Sequence, residues 1–217
     1  EFKDEGDRYN MIATGALSIA TADLNKDGYP EIVTGSYRAG QRNLPLNTES
    51  KVFWGTAEGV DSESPLILPT YGARQVILED LNGDGNTDIT FSGSGQVKIF
   101  WNEDEGIDTS NPLIIEAKGE TGEFSQNVVR IEIADVDEDD QMELIIATSE
   151  GVQIRDGKDL ANIEMKLPIK HARWVTAADL NGDNHSDLIV SKNYEENEFK
   201  PKSAIFWNGP NGFSIEE

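Results

Sequence analysis

The chain has 217 residues, 37% hydrophobic and 27% charged, which is enough length and apolar content for one large domain or two small ones. Its 41 Asp+Glu against 18 Lys+Arg give a formal net charge of −23, a balance that argues against nucleic acid and anionic membranes as partners and favours metal cations. Cysteine is absent, so there is no disulfide framework, thiol chemistry or Cys-ligated zinc. No apolar run approaches the roughly 18 residues of a membrane span, so no membrane insertion is expected. The opening "EFKDEGDRYN" lacks the basic-then-apolar character of a signal peptide, and the chain is read as a soluble mature form or an excised piece.

In chain order, the first unit opens with "LSIATAD", passes through the acidic hexapeptide "DLNKDG" from Asp23 and continues into "EIVTGS". Both apolar segments are short and rich in Ile, Val and Thr, which predicts strands, and the hexapeptide between them is predicted to be a hairpin loop. "KVFWGTAEGV" and "PLILPT" supply a third and a fourth strand. The second unit repeats the order with "QVILED", "DLNGDG" from Asp80, "DITFSG", "VKIFWNEDEGI" and "PLIIEA". The third has "VRIEIAD", "DVDEDD" from Asp135 and "ELIIATS", then "VQIRDGKDL" where its neighbours carry Phe-Trp, then "ANIEMKLP". The fourth has "WVTAAD", "DLNGDN" from Asp179, "DLIVS" and "AIFWNGPNGF".

Self-similarity at this spacing marks solenoids, propellers or arrays. Four-stranded antiparallel units with almost no helical periodicity predict an all-β fold, a β-propeller, with a sandwich as the fallback. The predicted blades are approximately 16–70, 71–124, 125–170 and 171–217 of a single domain or segment over 1–217, either a closed small ring or part of a larger propeller. A blade buries its faces only against its neighbours, so Phe53-Trp54, Phe100-Trp101 and Phe206-Trp207 are predicted to pack between blades.

Within "DLNKDGYPE" oxygen-bearing side chains fall at positions 1, 3, 5 and 9, Gly stands at 6, and position 7 offers its main-chain carbonyl. Calcium takes six to eight oxygens at about 2.3–2.6 Å, and alternating ligands around a sharp turn wrap a short segment about one ion. The expected ligand sets are Asp23, Asn25, Asp27, Tyr29 and Glu31; Asp80, Asn82, Asp84, Asn86 and Asp88; Asp135, Asp137, Asp139, Gln141 and Glu143; and Asp179, Asn181, Asp183, His185 and Asp187. Tyr29, Asn86, Gln141 and His185 hold position 7, where only the main-chain oxygen is expected to matter. The competing reading is four exposed Asx turns; fourfold recurrence and clustered like charge speak against it. Zinc is disfavoured by the all-oxygen donors and magnesium by its retention of water. An EF-hand requires a bidentate Glu at position 12, where this chain has Thr34, Phe91, Ile146 and Val190. The third loop departs furthest, with Asp140 in place of the turn Gly, whereas Asn184 in the fourth tolerates a left-handed backbone.

These units resemble the FG-GAP/VCBS repeats of integrin-type calcium-binding β-propellers, whose signature is a DxNxDGxxD loop inside a blade. The resemblance covers nearly the whole chain. It implies up to four structural Ca2+ ions, each in the hairpin between the first two strands of a blade, held by the four sets of residues above. Folding that depends on calcium points in turn to a calcium-rich place outside the cytoplasm, an extracellular, cell-surface or periplasmic location.

In an up-and-down blade the acidic loops leave on one face, and the 2–3 loops and inter-blade links on the other. Two of these 2–3 loops are long, "YRAGQRNLPLNTES" and "KNYEENEFKPKS", and they carry Tyr37, Arg38, Arg42, Tyr194, Phe199 and Lys200 as candidate partner-binding residues. The links add Tyr71, Arg74, His171, Arg173 and Trp174, with Trp174 expected to be packed. The function expected is a calcium-stabilised binding or adhesion module that recognises a protein or glycan, lectin-like, through the face opposite the acidic loops. The alternatives are a catalytic or non-catalytic propeller domain of a polysaccharide-active enzyme, similar to calcium-propeller lyases, and a pure scaffold presenting other domains. No catalytic residue is assigned: the chain has two His, no Gly-x-Ser-x-Gly elbow, and acids largely accounted for by the loops.

Overall fold

A computed structural model describes residues 11–38, 46–117, 129–192 and 202–214. The first blade comprises β1 (Ala16–Ala22), β2 (Glu31–Ser36), β3 (Asn47–Phe53), β4 (Gly55–Thr56), β5 (Gly59–Val60) and β6 (Leu66–Tyr71). The second comprises β7 (Gln75–Glu79), β8 (Asp88–Ser92), β9 (Gln96–Phe100), β10 (Asn102–Glu103), β11 (Gly106–Ile107) and β12 (Leu113–Glu116). The third is β13 (Arg130–Ala134), β14 (Glu143–Thr148), β15 (Gly151–Asp156) and β16 (Met165–Leu167). The fourth is β17 (Ala172–Ala178), β18 (Asp187–Lys192) and β19 (Ala204–Phe206).

Each of the first three blades is a four-stranded antiparallel meander, ordered β1-β2-β3-β6, β7-β8-β9-β12 and β13-β14-β15-β16. The fourth has three strands among the described residues, β17-β18-β19, one fewer than the sequence predicts. In the first two blades a small hairpin, β4 with β5 and β10 with β11, is inserted between the third and fourth strands at "GTAEG" and "NEDEG". All regular structure among the described residues is β, and no helix is long and apolar enough to cross a membrane.

The core lies between blades. Three apolar layers fill the three joints, and each draws on both flanking sheets. The middle strand β14 shows why "ELIIAT" is apolar throughout: Leu144 and Ile146 face the second blade while Ile145 and Ala147 face the fourth, as strand alternation requires. Phe53 and Phe100 are fully buried, paired across the sheet with Ile32 and Ile89. Trp54 and Trp101 pack against the joints, in agreement with the expected inter-blade role. Trp207, on the last described blade, is 45% exposed. In the third blade Arg155 takes the position of the Phe, opposite Leu144, and its guanidinium donates to the Leu160 carbonyl.

First strands of successive blades lie against one another, β1 on β7, β7 on β13 and β13 on β17. The acidic loops therefore line up at one end of this wall and the starts of β7, β13 and β17 at the other.

Candidate metal centres in the acidic loops

All four loops fold alike, and one residue in each organises it. The position-1 aspartate turns inward and accepts two main-chain N–H groups: Asp23 from Asp27 (3.1 Å) and Gly28 (2.9 Å), and Asp80 from Asp84 (3.0 Å) and Gly85 (2.7 Å). Asp135 accepts from Glu138 and Asp140, and Asp179 from Gly182 and Asn184. Position 3 accepts from position 5 at Asn25, Asn82 and Asn181. Position 5 accepts from position 7 at Asp27, Asp84, Asp139 and Asp183. The side chains of positions 1, 3 and 5 are thereby held on the concave side of one tight turn, each oxygen keeping a lone pair for a second partner.

The backbone explains the residue choice. Position 6 is left-handed in every loop, at Gly28 (φ 91°), Gly85 (φ 88°), Asp140 (φ 65°) and Asn184 (φ 71°). So is position 4, at Lys26 (φ 60°), Gly83 (φ 72°), Glu138 (φ 67°) and Gly182 (φ 81°). The sequence signals the second requirement only in the Gly83 and Gly182 loops, since Lys26 and Glu138 are not residues that mark a left-handed backbone.

Position 9 has a wider role than the sequence shows. Glu31, Asp88, Glu143 and Asp187 are buried, and each accepts the N–H of position 2: Leu24 (2.6 Å), Leu81 (3.1 Å), Val136 (2.7 Å) and Leu180 (3.0 Å). In three loops the other oxygen accepts an N–H from just past the third strand: Gly55 for Glu31, Asn102 for Asp88 and Asn208 for Asp187. Burial raises the Glu31 carboxyl and pushes Asp88 up to about 6, against the lowering pull of those N–H groups. Burial together with the charges of Asp137, Asp135 and Asp139 pushes Glu143 up to about 7, opposed by the Val136 N–H.

In the third loop one oxygen each from Asp135, Asp137 and Glu143 lies within 4.8 Å of the others. The loop furthest from the sequence pattern thus holds a compact carboxylate cluster. Three mutually repelling carboxylates, one of them buried, fit a hard divalent cation with oxygen donors.

The expectation that position 7 matters only through its main chain is corrected. Asn86 accepts a hydrogen bond from Lys26 Nζ at 2.7 Å, and His185 Nδ1 pairs with Glu138. In both cases position 7 reaches position 4 of the preceding blade's loop, so these side chains join neighbouring loops.

Of the candidate partner residues, Tyr37 and Arg38 lie just after β2 with the Arg38 guanidinium 4.9 Å from the Tyr37 ring centroid. Arg42, Tyr194, Phe199 and Lys200 lie outside the described residues. Trp174, expected to be packed, is 47% exposed, because it sits at the bulged start of β17 with Arg130 over its ring.

Comparison with known proteins agrees with this architecture. The FG-GAP-like repeat family matches residues 80–146 and the FG-GAP repeat family residues 15–48. The chain is 32% identical over 81 residues to phosphatidylinositol-glycan-specific phospholipase D of Rattus norvegicus, a match covering 35% of this chain and only 10% of that protein. Crystal structures of BBS1N in complex with ARL6DN share the fold. The lead-soaked crystal gives a TM-score of 0.54 at 14% identity over 84% of this chain and 52% of that one. The mercury-soaked crystal gives 0.52 at 15% identity over 83% and 52%. Residues 15–48 and 80–146 thus carry FG-GAP-type repeats, within a chain of β-propeller fold.

Proposed function

We propose that the chain is a calcium-stabilised β-propeller segment that serves as a recognition module of an extracellular or cell-surface protein. The observation that carries the calcium reading is the Asp135, Asp137 and Glu143 cluster, set in a loop whose backbone is repeated in the other three blades. Calcium would supply the positive charge that lets these carboxylates stay ionised beside one another. Up to four ions would be held by positions 1, 3, 5 and 9 with the position-7 carbonyl. Their role is structural, since position 9 also ties the loop to the sheet. Partner recognition is assigned to the opposite end of the blades, where Tyr37 and Arg38 lie. The segment shared with the phospholipase D is a tenth of that protein, and a binding role within a larger chain is the reading favoured over catalysis.

Extracellular calcium modules bind at about 10⁻⁴–10⁻³ M, so at about 1 mM free ion each site contributes on the order of 0.4–1.4 kcal/mol. Four sites give about 2–6 kcal/mol, or roughly 4–24 °C of melting temperature for a domain of this size. Thermal melts in 1 mM calcium and in EDTA test this: a fall within that range is expected, and superimposable curves would reject structural calcium.

A further inference from the structure

Guanidinium groups gather at the end of the blades opposite the acidic loops. Arg38 follows β2, Arg74 precedes β7, Arg130 opens β13 and Arg173 lies near the start of β17. The first strands of these blades pack side by side, so their starts share one rim. The Gln75 side-chain amide fixes the spacing: its Nε2 donates to the Ile131 carbonyl (2.8 Å) and its Oε1 accepts the Ile131 N–H (3.0 Å). That exchange joins the residue after Arg74 to the residue after Arg130. The Arg74 guanidinium lies 3.8 Å from the Tyr37 ring centroid, and that of Arg130 lies 5.1 Å from the Trp174 ring.

The rim runs against the composition of the chain. With 41 acids to 18 Lys+Arg, most cations should find a carboxylate, yet among the described residues none pairs with Arg130 or Arg173. Arg130 Nη1 is buried without a hydrogen-bond partner. Burial lowers the Arg130 pKa, and the charges of Arg74 and Arg173 lower it further. A buried cationic N–H without an acceptor is costly, and a guanidinium fork is matched in shape and charge by an oxyanion. Stacking on Tyr37 and Trp174 accounts for where the side chains lie but leaves that N–H unmet. A net charge of −23 repels a polyanion, which favours one compact group over a charged polymer.

We propose that the rim framed by Arg74, Arg130 and Arg173 binds a single oxyanion, a carboxylate or sulfate group, beside the exposed ring of Trp174. The inference deepens the recognition reading by naming the ligand chemistry, and it does not depend on calcium.

Isothermal titration of the calcium-saturated chain with sodium sulfate, with glucuronate and with glucose as neutral control, at constant ionic strength, tests it. Saturable binding of the anions and none of glucose is expected, weakened about tenfold or more in Arg130→Gln and in Arg173→Gln. Tighter binding of glucuronate than of sulfate assigns a carboxylate carried on a ring against Trp174; equal binding assigns the bare oxyanion. Arg173→Gln keeps the test open should Arg130→Gln fail to fold. A folded chain that binds neither anion, or variants that bind as the parent does, would overturn the proposal. An EDTA-sensitive melt alongside that result would leave the calcium reading standing.

Discussion

Asp88 and Glu143 are carboxylates enclosed by their own blades, at 0% and 2% exposure. Burial leads in holding both above their ordinary values, Asp88 at about 6 and Glu143 at about 7. Without metal the folded state therefore binds these protons more tightly than the unfolded chain does. Protonation stabilises the fold, and that gain is lost as pH rises through the raised values. The metal-free chain should thus become more stable as pH falls from about 7.5 toward about 5. Urea midpoints in EDTA at about pH 5.5, 6.5 and 7.5 read this directly; a midpoint that climbs with pH would contradict it. Calcium competes with the same protons, so the trend should flatten when the ion is present.

At the scale of the element, each joint between blades has its own device. Asn102 Nδ2 donates to the Leu24 carbonyl (2.8 Å), and Asn208 Nδ2 to the Val136 carbonyl (2.7 Å). At the middle joint the equivalent residue is Gly157, where an added Cβ would meet the Leu81 carbonyl oxygen at 2.2 Å and that of Met142 at 2.4 Å. Both are backbone atoms that cannot swing away, so Gly157→Ala is expected to cost about 1–3 kcal/mol by forcing two blades apart. Equilibrium denaturation measures it, and a neutral result would show that the joint is looser than this packing. The strands and acidic loops were legible in the sequence because the same residue types recur at the same offsets. The joints were not, because their donors come from afar: Asn102 lies 78 residues from Leu24, and Asn208 lies 72 from Val136. The exposure of Trp174 was hidden for a related reason, since apolar content alone does not say which neighbour covers a residue.

Over the whole molecule, the two end blades leave apolar residues uncovered. Leu17 and Ile19 of β1 are 59% and 62% exposed, and Leu180, Ile205 and Trp207 of the fourth blade are 46%, 45% and 45% exposed. The inner joints bury the counterparts Leu24, Leu81 and Val136 of that same Leu180. Two different apolar faces at opposite ends form a heterologous pair, which builds rings or open stacks rather than closed dimers. The isolated 217-residue chain should self-associate with rising concentration, and Ile19→Lys should suppress this; sedimentation that finds only monomer at high concentration would refute it. Position 2 of the acidic loop meets both worlds: its side chain is in the joint, its N–H on the position-9 carboxylate and, at Leu24 and Val136, its carbonyl on the next blade's Asn. An ion seated in one loop would therefore stiffen the hinge to its neighbour, and occupancy would spread along the array as in a one-dimensional cooperative lattice. A calcium titration steeper than that of independent sites would show it, with the fourth loop, whose Leu180 faces open solvent, filling as the least coupled of the four.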